Sequence, residues 1–150
     1  MPIKYVHTNI VSKNWKKLVQ FYQDVFDCKP VPPARSLSED WLSEGTGIPN
    51  AHLEGLHLRL PGYGDSGPTL EIYQYSEIED RTTTLGNSAG LCHLAFAVDD
   101  VSATREKVLA HGGSDLGHTV TAEVPGAGKI TFVYMRDPEG NIIELQKWLK

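Results

Sequence analysis

The sequence predicts an α+β fold: two βαβββ modules in tandem, with their helices on the outside. Three observations predict it. The order strand, cap, helix occurs twice along the chain. Each half closes on a strand of similar pattern. In the paired strands, one alternate face is more aliphatic than the other, as a sheet covered on one side requires.

The elements follow in order. Residues 5–11 are rich in β-branched side chains and read as a strand. Ser12, Lys13 and Asn14 offer N-cap chemistry, and Trp15, Leu18, Val19, Tyr22 and Phe26 recur at helical spacing. Cys28, Lys29 and the prolines at 30, 32 and 33 end that helix. Two further strands are expected near 37–43 and 52–60, the Pro/Gly-rich stretch 61–68 as a long hairpin loop, and 69–75 as the closing strand. Residues 76–89, polar and rich in Thr and Ser, read as the link between modules. The second half repeats the plan. Residues 91–98 are a strand, Asp99 and Asp100 a cap, and Val101, Val108 and Leu109 the apolar side of a helix stopped by Gly112 and Gly113. Strands are expected near 117–124 and 129–136, then the turn Asp137-Pro138-Glu139-Gly140, then a closing strand over 141–148. Module one runs from about residue 3 to 76 and module two from about 89 to 149, together one domain over 1–150.

Composition bounds the function. The 150 residues are 40% hydrophobic and 22% charged, an ordinary globular balance. A net charge of −5 lacks the basic field that phosphate backbones require, so no nucleic-acid partner is expected. No apolar run approaches the roughly 20 residues of a membrane span, and no membrane association is expected. The N-terminus goes straight into a β-like segment without a signal-type apolar region. Cys28 and Cys92 form no disulfide framework and read as small buried hydrophobes. Cytoplasmic residence is the default expectation.

The chemistry lies in four residues. His7 stands in the first strand of module one and Glu71 in its last; His93 and Glu144 stand in the matching strands of module two. His7 to Glu71 is 64 positions and His93 to Glu144 is 51, so module one is longer by 13, an excess placed in residues 36–51. Parity puts each of the four opposite the more aliphatic face of its strand. With the aliphatic faces covered by the helices, the other faces would line a shared cup. A lone strand histidine is ordinarily packed or solvated, and a lone strand glutamate ordinarily points to water. Four of them at equivalent places in two repeats suit a divalent ion such as zinc, nickel, cobalt, manganese or iron. Four protein ligands on an octahedral ion leave two positions for water or substrate, so such a site can polarise a carbonyl and acidify its neighbouring C–H.

The run His7-Thr8-Asn9-Ile10, the segment Leu70-Glu71-Ile72, the strand from Cys92 to Phe96 and the hairpin from Arg136 to Leu145 resemble the vicinal oxygen chelate superfamily. That superfamily includes glyoxalase I, methylmalonyl-CoA epimerase, extradiol dioxygenases and bleomycin- and fosfomycin-resistance proteins. The resemblance covers nearly the whole chain, and the Asp137-to-Glu144 run is its most specific part. It implies a cupped, incompletely closed mixed sheet around one divalent metal held by His7, Glu71, His93 and Glu144. Extradiol dioxygenases and fosfomycin-resistance enzymes leave empty the position that Glu71 fills. Bleomycin-binding members lack the metal set. The His/Glu/His/Glu set is similar to that of glyoxalase I, while epimerases often carry Gln where Glu71 stands.

The resemblance therefore implies a metal-dependent lyase or isomerase that removes a proton next to a metal-bound carbonyl and stabilises an enediolate. Glu144 is the first candidate for the base and Glu71 the second. The implied substrate is a small carbonyl compound or thioester, with a thiol co-substrate such as glutathione left open, and the family often forms homodimers. Two other classes stay in view: a drug-sequestering binding protein using the aromatic Tyr73, Tyr75 and Trp148, and a metal-dependent dioxygenase.

Five further residues are candidates for substrate binding. His57 and Arg59 share a strand face; Arg59 could pair with an anionic group, or simply be a solvated edge residue. Tyr73 lies on the Glu71 face, and Asn9 on the His7 face. Trp41 in the 36–51 stretch is either a lid residue or a core plug. His111 is expected only to favour a helix C-terminus, His118 to be exposed, and His52 has no assigned partner.

Overall fold

A computed structural model describes residues 2–150 and contains two open mixed sheets and three helices among them. The chain divides into two compact units, one ending at Asp80 and the other running Arg81–Lys150. The division falls inside the polar link expected over 76–89.

The first unit contains β1 (His7–Val11), α1 (Trp15–Phe26), β2 (Lys29–Leu37), α2 (Asp40–Thr46), β3 (Leu53–Arg59) and β4 (Thr69–Tyr75). Its sheet runs β1-β4-β3-β2, with β1 parallel to β4 and the other pairs antiparallel. α1 starts where Asn14 caps it, the side-chain oxygen accepting from the Lys17 N–H. Its buried stripe, Leu18, Val19, Phe21, Tyr22, Val25 and Phe26, packs toward β3 and β4, whose Leu58, Leu70 and Ile72 are fully buried. The aliphatic face is thus covered by the helix, as expected.

One expected strand is misplaced. No strand occupies 37–43. β2 lies earlier, over Lys29–Leu37, and Asp40–Thr46 is the helix α2. α1 ends on Asp27, whose φ of 57° is left-handed, and the prolines expected to end it are carried in β2, which is tolerated because β2 is an edge strand and bonds only to β3. The ladder shifts register between Val31 and Arg35. α2 ends on Gly47, whose φ of 74° is the left-handed conformation that glycine adopts without a Cβ clash. The excess of module one is therefore largely this short helix. Its Leu42 is buried with Ala51 and Leu53, and Leu37, Tyr73 and Tyr75 pack on them.

The second unit contains β5 (His93–Ala97), α3 (Val101–Ala110), β6 (Ser114–Asp115), β7 (Val120–Val124), β8 (Gly128–Arg136) and β9 (Ile142–Leu149). Its sheet runs β5-β9-β8-β6, β7 also pairs with β8, and β5 is parallel to β9. Asp100 caps α3 by accepting from the Ala103 N–H. Val101 and Val108 are its buried residues, and the helix packs on β8 and β9, whose Val133, Met135, Ile143 and Leu145 are buried. The β8–β9 hairpin is fastened by Asp137, which is buried. Its Oδ1 accepts from the Glu139 and Asn141 N–H groups at 2.8 and 3.0 Å, and its Oδ2 from Asn141 Nδ2 at 2.9 Å. This is the physical content of the turn read from the sequence: an Asp that bonds the backbone ahead of it. It sets the register Tyr134↔Glu144.

Candidate metal centre

In module one, β4 carries Glu71 between two neighbours in register, Asn9 of β1 and His57 of β3. Directly paired residues project to the same face, so all three side chains meet. Asn9 Nδ2 donates to Glu71 Oε1 at 2.8 Å. His57 Nε2 lies 2.9 Å from Glu71 Oε2, and His7 Nε2 lies 3.6 Å from the same oxygen. The two imidazoles meet edge to face, with ring centroids 5.6 Å apart. Tyr73 Oη stands 3.0 Å from His57 Nε2, and Thr69 Oγ1 stands 3.2 Å from His57 Nδ1. One donor atom each from His7, His57 and Glu71 lies within 4.8 Å of the others.

Gly55 makes room for this cluster. A Cβ there would fall 2.2 Å from the Ile72 carbonyl oxygen and 2.6 Å from the Tyr73 ring. The absence of a side chain lets the Tyr73 ring lie against β3, with its hydroxyl at His57. α2 and Leu53 cover the far end of this face at Tyr73 and Tyr75.

The electrostatics follow from burial. Burial pushes the His57 imidazole below its ordinary value, with Glu71 opposing, which favours the neutral ring that a metal ligand must be. Tyr73 is pushed up to about 12, first by burial and then by the Glu71 charge, and Tyr75 moves up for the same reasons. Both phenols are therefore neutral donors facing a carboxylate.

In module two, His93 Nε2 lies 3.4 Å from Glu144 Oε1. Gln146 Nε2 donates to Glu144 Oε2, and Trp148 Nε1 donates to Gln146 Oε1 at 2.9 Å. Tyr134 lies against the His93 ring with centroids 4.6 Å apart, and its phenol is pushed up by burial and then by Glu144.

The donor chemistry fits a divalent transition ion. Ligand atoms bound to one ion at about 2.0–2.2 Å stand roughly 3 Å or slightly more apart. The separations of 2.9, 3.6 and 3.4 Å between imidazole nitrogens and carboxylate oxygens are of that size.

The sequence-predicted residues sort plainly. His7, Asn9, His57, Glu71 and Tyr73 meet in module one, and His93 and Glu144 meet in module two. Arg59, two residues beyond His57 on the same face, donates to the Gly67 carbonyl and fastens the β3–β4 loop. It sits in an inner strand, not at an edge. Trp41 is 56% exposed on α2 and so is no core plug. Cys28 is buried as expected, its thiol pushed up to about 12 by burial, whereas Cys92 is only partly buried and faces the Leu85 and Gly86 carbonyls. His111 Nδ1 lies 2.7 Å from the Lys107 carbonyl at the end of α3, and His118 is exposed. Tyr134 and Gln146 were not singled out from the sequence. Counting back equally from both sides of a five-residue turn, Asp137–Asn141, pairs Tyr134 with Glu144.

The sequence model of the Glyoxalase/Bleomycin resistance protein/Dioxygenase superfamily matches residues 4–145. The chain belongs to this superfamily. A probable lactoylglutathione lyase of Vibrio parahaemolyticus is 37% identical over 93 residues, which are 59% of this chain and 60% of that protein. The chain thus aligns with about three fifths of that relative's length. Among solved structures, a glyoxalase family protein of Bacillus cereus aligns over 99% of this chain and 94% of its own, at 19% identity and a TM-score of 0.74. A mutant fosfomycin resistance protein of Listeria monocytogenes, solved with Mn(II), aligns over 97% of this chain and 92% of its own, at 18% identity and a TM-score of 0.53. These two share the superfamily's fold with the present chain. Among the described residues, no helix is long and apolar enough to cross a membrane.

Proposed function

We propose that the chain is a divalent-metal-dependent lyase or isomerase of glyoxalase type, acting on a small carbonyl compound or thioester. The two modules together form one domain, with His7, Glu71, His93 and Glu144 as metal ligands. The observation that carries this reading is the repeated pair. Each module brings one imidazole and one carboxylate within 3.6 Å, on parallel neighbouring strands at matching places in its sheet.

A divalent ion, when bound, supplies charge that polarises a substrate carbonyl. The chain's own residues do the rest. Glu144 takes the proton from the carbon beside the carbonyl, while the Gln146 amide steadies its Oε2. The phenols of Tyr73 and Tyr134 remain protonated and can donate to a substrate oxygen. The name of the Vibrio relative supports a glutathione-linked substrate, with the thiol-bearing partner as co-substrate.

Metal analysis of the purified protein tests the reading. One divalent transition ion per chain is expected. No bound ion, and no uptake on titration, would sink it.

A further inference from the structure

We propose that His57 is itself a metal ligand, and that His7, His57 and Glu71 of module one hold a borderline divalent ion such as cobalt, zinc or nickel without help from module two. The inference rests on the reading that His7 and Glu71 face the metal, and it adds a ligand outside the repeated set.

Three observations carry it. First, both imidazoles approach the same carboxylate oxygen, Glu71 Oε2, at 2.9 and 3.6 Å. The other oxygen, Oε1, is occupied by the Asn9 amide. The carboxylate is thus oriented from behind, and its remaining oxygen is turned toward two nitrogens. Second, His57 has a partner on the ring atom away from the cluster. With its proton on Nδ1 donated to Thr69 Oγ1, 3.2 Å away, Nε2 carries no proton; the Tyr73 hydroxyl stands 3.0 Å from it, and an ion set between Nε2 and Glu71 Oε2 would take its lone pair in place of that hydroxyl. An outer partner that fixes the tautomer in this way is the usual support of a ligating histidine. Third, access is one-sided. The side chains of His57 and Glu71 are 15% and 12% exposed, against 37% for His7, so an ion can enter past His7 and keep exchangeable positions there. Two imidazoles with one carboxylate select borderline transition ions over magnesium or calcium, which prefer all-oxygen shells.

The matching place in module two shows that this imidazole is no consequence of the repeat. His57 pairs with Glu71 across β3 and β4, and the residue pairing with Glu144 across β8 and β9 is Tyr134. A fold that needed only one His and one Glu per module would not require a histidine there.

The experiment is Co2+ titration of the metal-free full chain, followed by visible absorption and calorimetry. It uses the wild type, the double variant His93→Ala/Glu144→Gln, and that double variant with His57→Tyr or His57→Gln. The tyrosine copies what module two carries at this place, and the glutamine guards against a variant that misfolds. Thermal melts of the metal-free proteins show that each is folded. The double variant is expected to bind one Co2+ per chain. Adding either His57 substitution is expected to weaken that binding by more than about 100-fold, the upper end of what losing a mere supporting partner costs, and to change the absorption spectrum. A loss within that supporting range and an unchanged spectrum overturn the proposal, as does a double variant that binds nothing while the wild type binds. In the last case the four-ligand reading survives. If His93→Ala/Glu144→Gln leaves Co2+ affinity and spectrum at wild-type values, the four-ligand reading fails, and His57 stands or falls on the added His57 substitutions as above. A wild type that takes up no Co2+ overturns both.

Discussion

Glu71 and Glu144 occupy the same place in their modules, yet they are held differently. Glu71 is gripped from both neighbouring strands: the Asn9 amide on Oε1, and His57 and His7 on Oε2. Glu144 has Ala95 where Glu71 has Asn9, and Tyr134 where Glu71 has His57. Its amide donor is Gln146, on its own strand, where module one has Tyr73. A carboxylate fixed by cross-strand partners suits the permanent holding of an ion. Glu144 has His93 and the Tyr134 phenol on its neighbouring strands but no cross-strand amide, so fewer bonds between strands are tied to its proton occupancy. For the proposed reaction, this difference makes module one the better clamp and module two the better source of the general base.

The sharpest break of this comparison is the pair Glu144→Gln and Glu71→Gln. Glu144→Gln is expected to lower turnover by about 100- to 10,000-fold, the usual worth of a positioned base, while the protein still takes up its ion. Glu71→Gln is expected to show its main defect in metal retention, with turnover partly restored by excess metal. Turnover and bound metal measured on both variants decide it. Equal behaviour of the two carboxylates would erase the proposed division of labour.

A second test concerns the scaffold, where the modules should behave alike. Leu70 of β4 and Leu145 of β9 are both fully buried, and each lies next to its module's carboxylate. Leu70→Ala and Leu145→Ala are each expected to cost about 2–5 kcal/mol in urea unfolding. A much smaller cost in one module would show that its sheet is not built around a packed aliphatic face.

These features differ in how far the sequence disclosed them. Strand parity and the repeat revealed the two His–Glu pairs, because both depend on local spacing. The cap residues Asn14 and Asp100 and the turn at Asp137 were readable for the same reason. The strand β2 was not, since prolines signal a break unless the strand lies at an edge, and edge position is a tertiary fact. α2 escaped because its seven residues bury one leucine, too little for a helical period to show. The contact of His57 with Glu71 depends on the register across a nine-residue loop, which spacing along one strand does not reveal.

Glycine gives a third and narrower test of module one alone. Gly55→Ala forces a methyl group against the Ile72 carbonyl and the Tyr73 ring. The expected result is displacement of Tyr73 and loss of about 1–3 kcal/mol, the range for overpacked sites. Metal affinity should fall less than in the His57 variants, because Tyr73 supports the cluster from its rim. Tyr73→Phe separates the two effects: it removes the hydroxyl at His57 without crowding β3. Calorimetry with Co2+ on both variants shows whether the hydroxyl or the space is what the cluster requires.

The smallest expected difference lies in the helix caps. Asn14 Oδ1 accepts from Lys17 at 3.3 Å, and Asp100 Oδ1 accepts from Ala103 at 2.9 Å. The aspartate adds a negative charge at the positive end of its helix, which the neutral asparagine cannot do. α3 also has less to fall back on, with two buried residues against six in α1. Asp100→Ala is therefore expected to cost about 1–2 kcal/mol and Asn14→Ala about 0.5–1 kcal/mol, within the range for cap loss. Raising the salt concentration should narrow the gap, since only the charge at Asp100 is screened. Hydrogen exchange at the first turn of each helix gives the direct reading. Faster opening at α1 than at α3 in the alanine variants would reverse the ranking and show that packing, not capping, sets the stability of these helix ends.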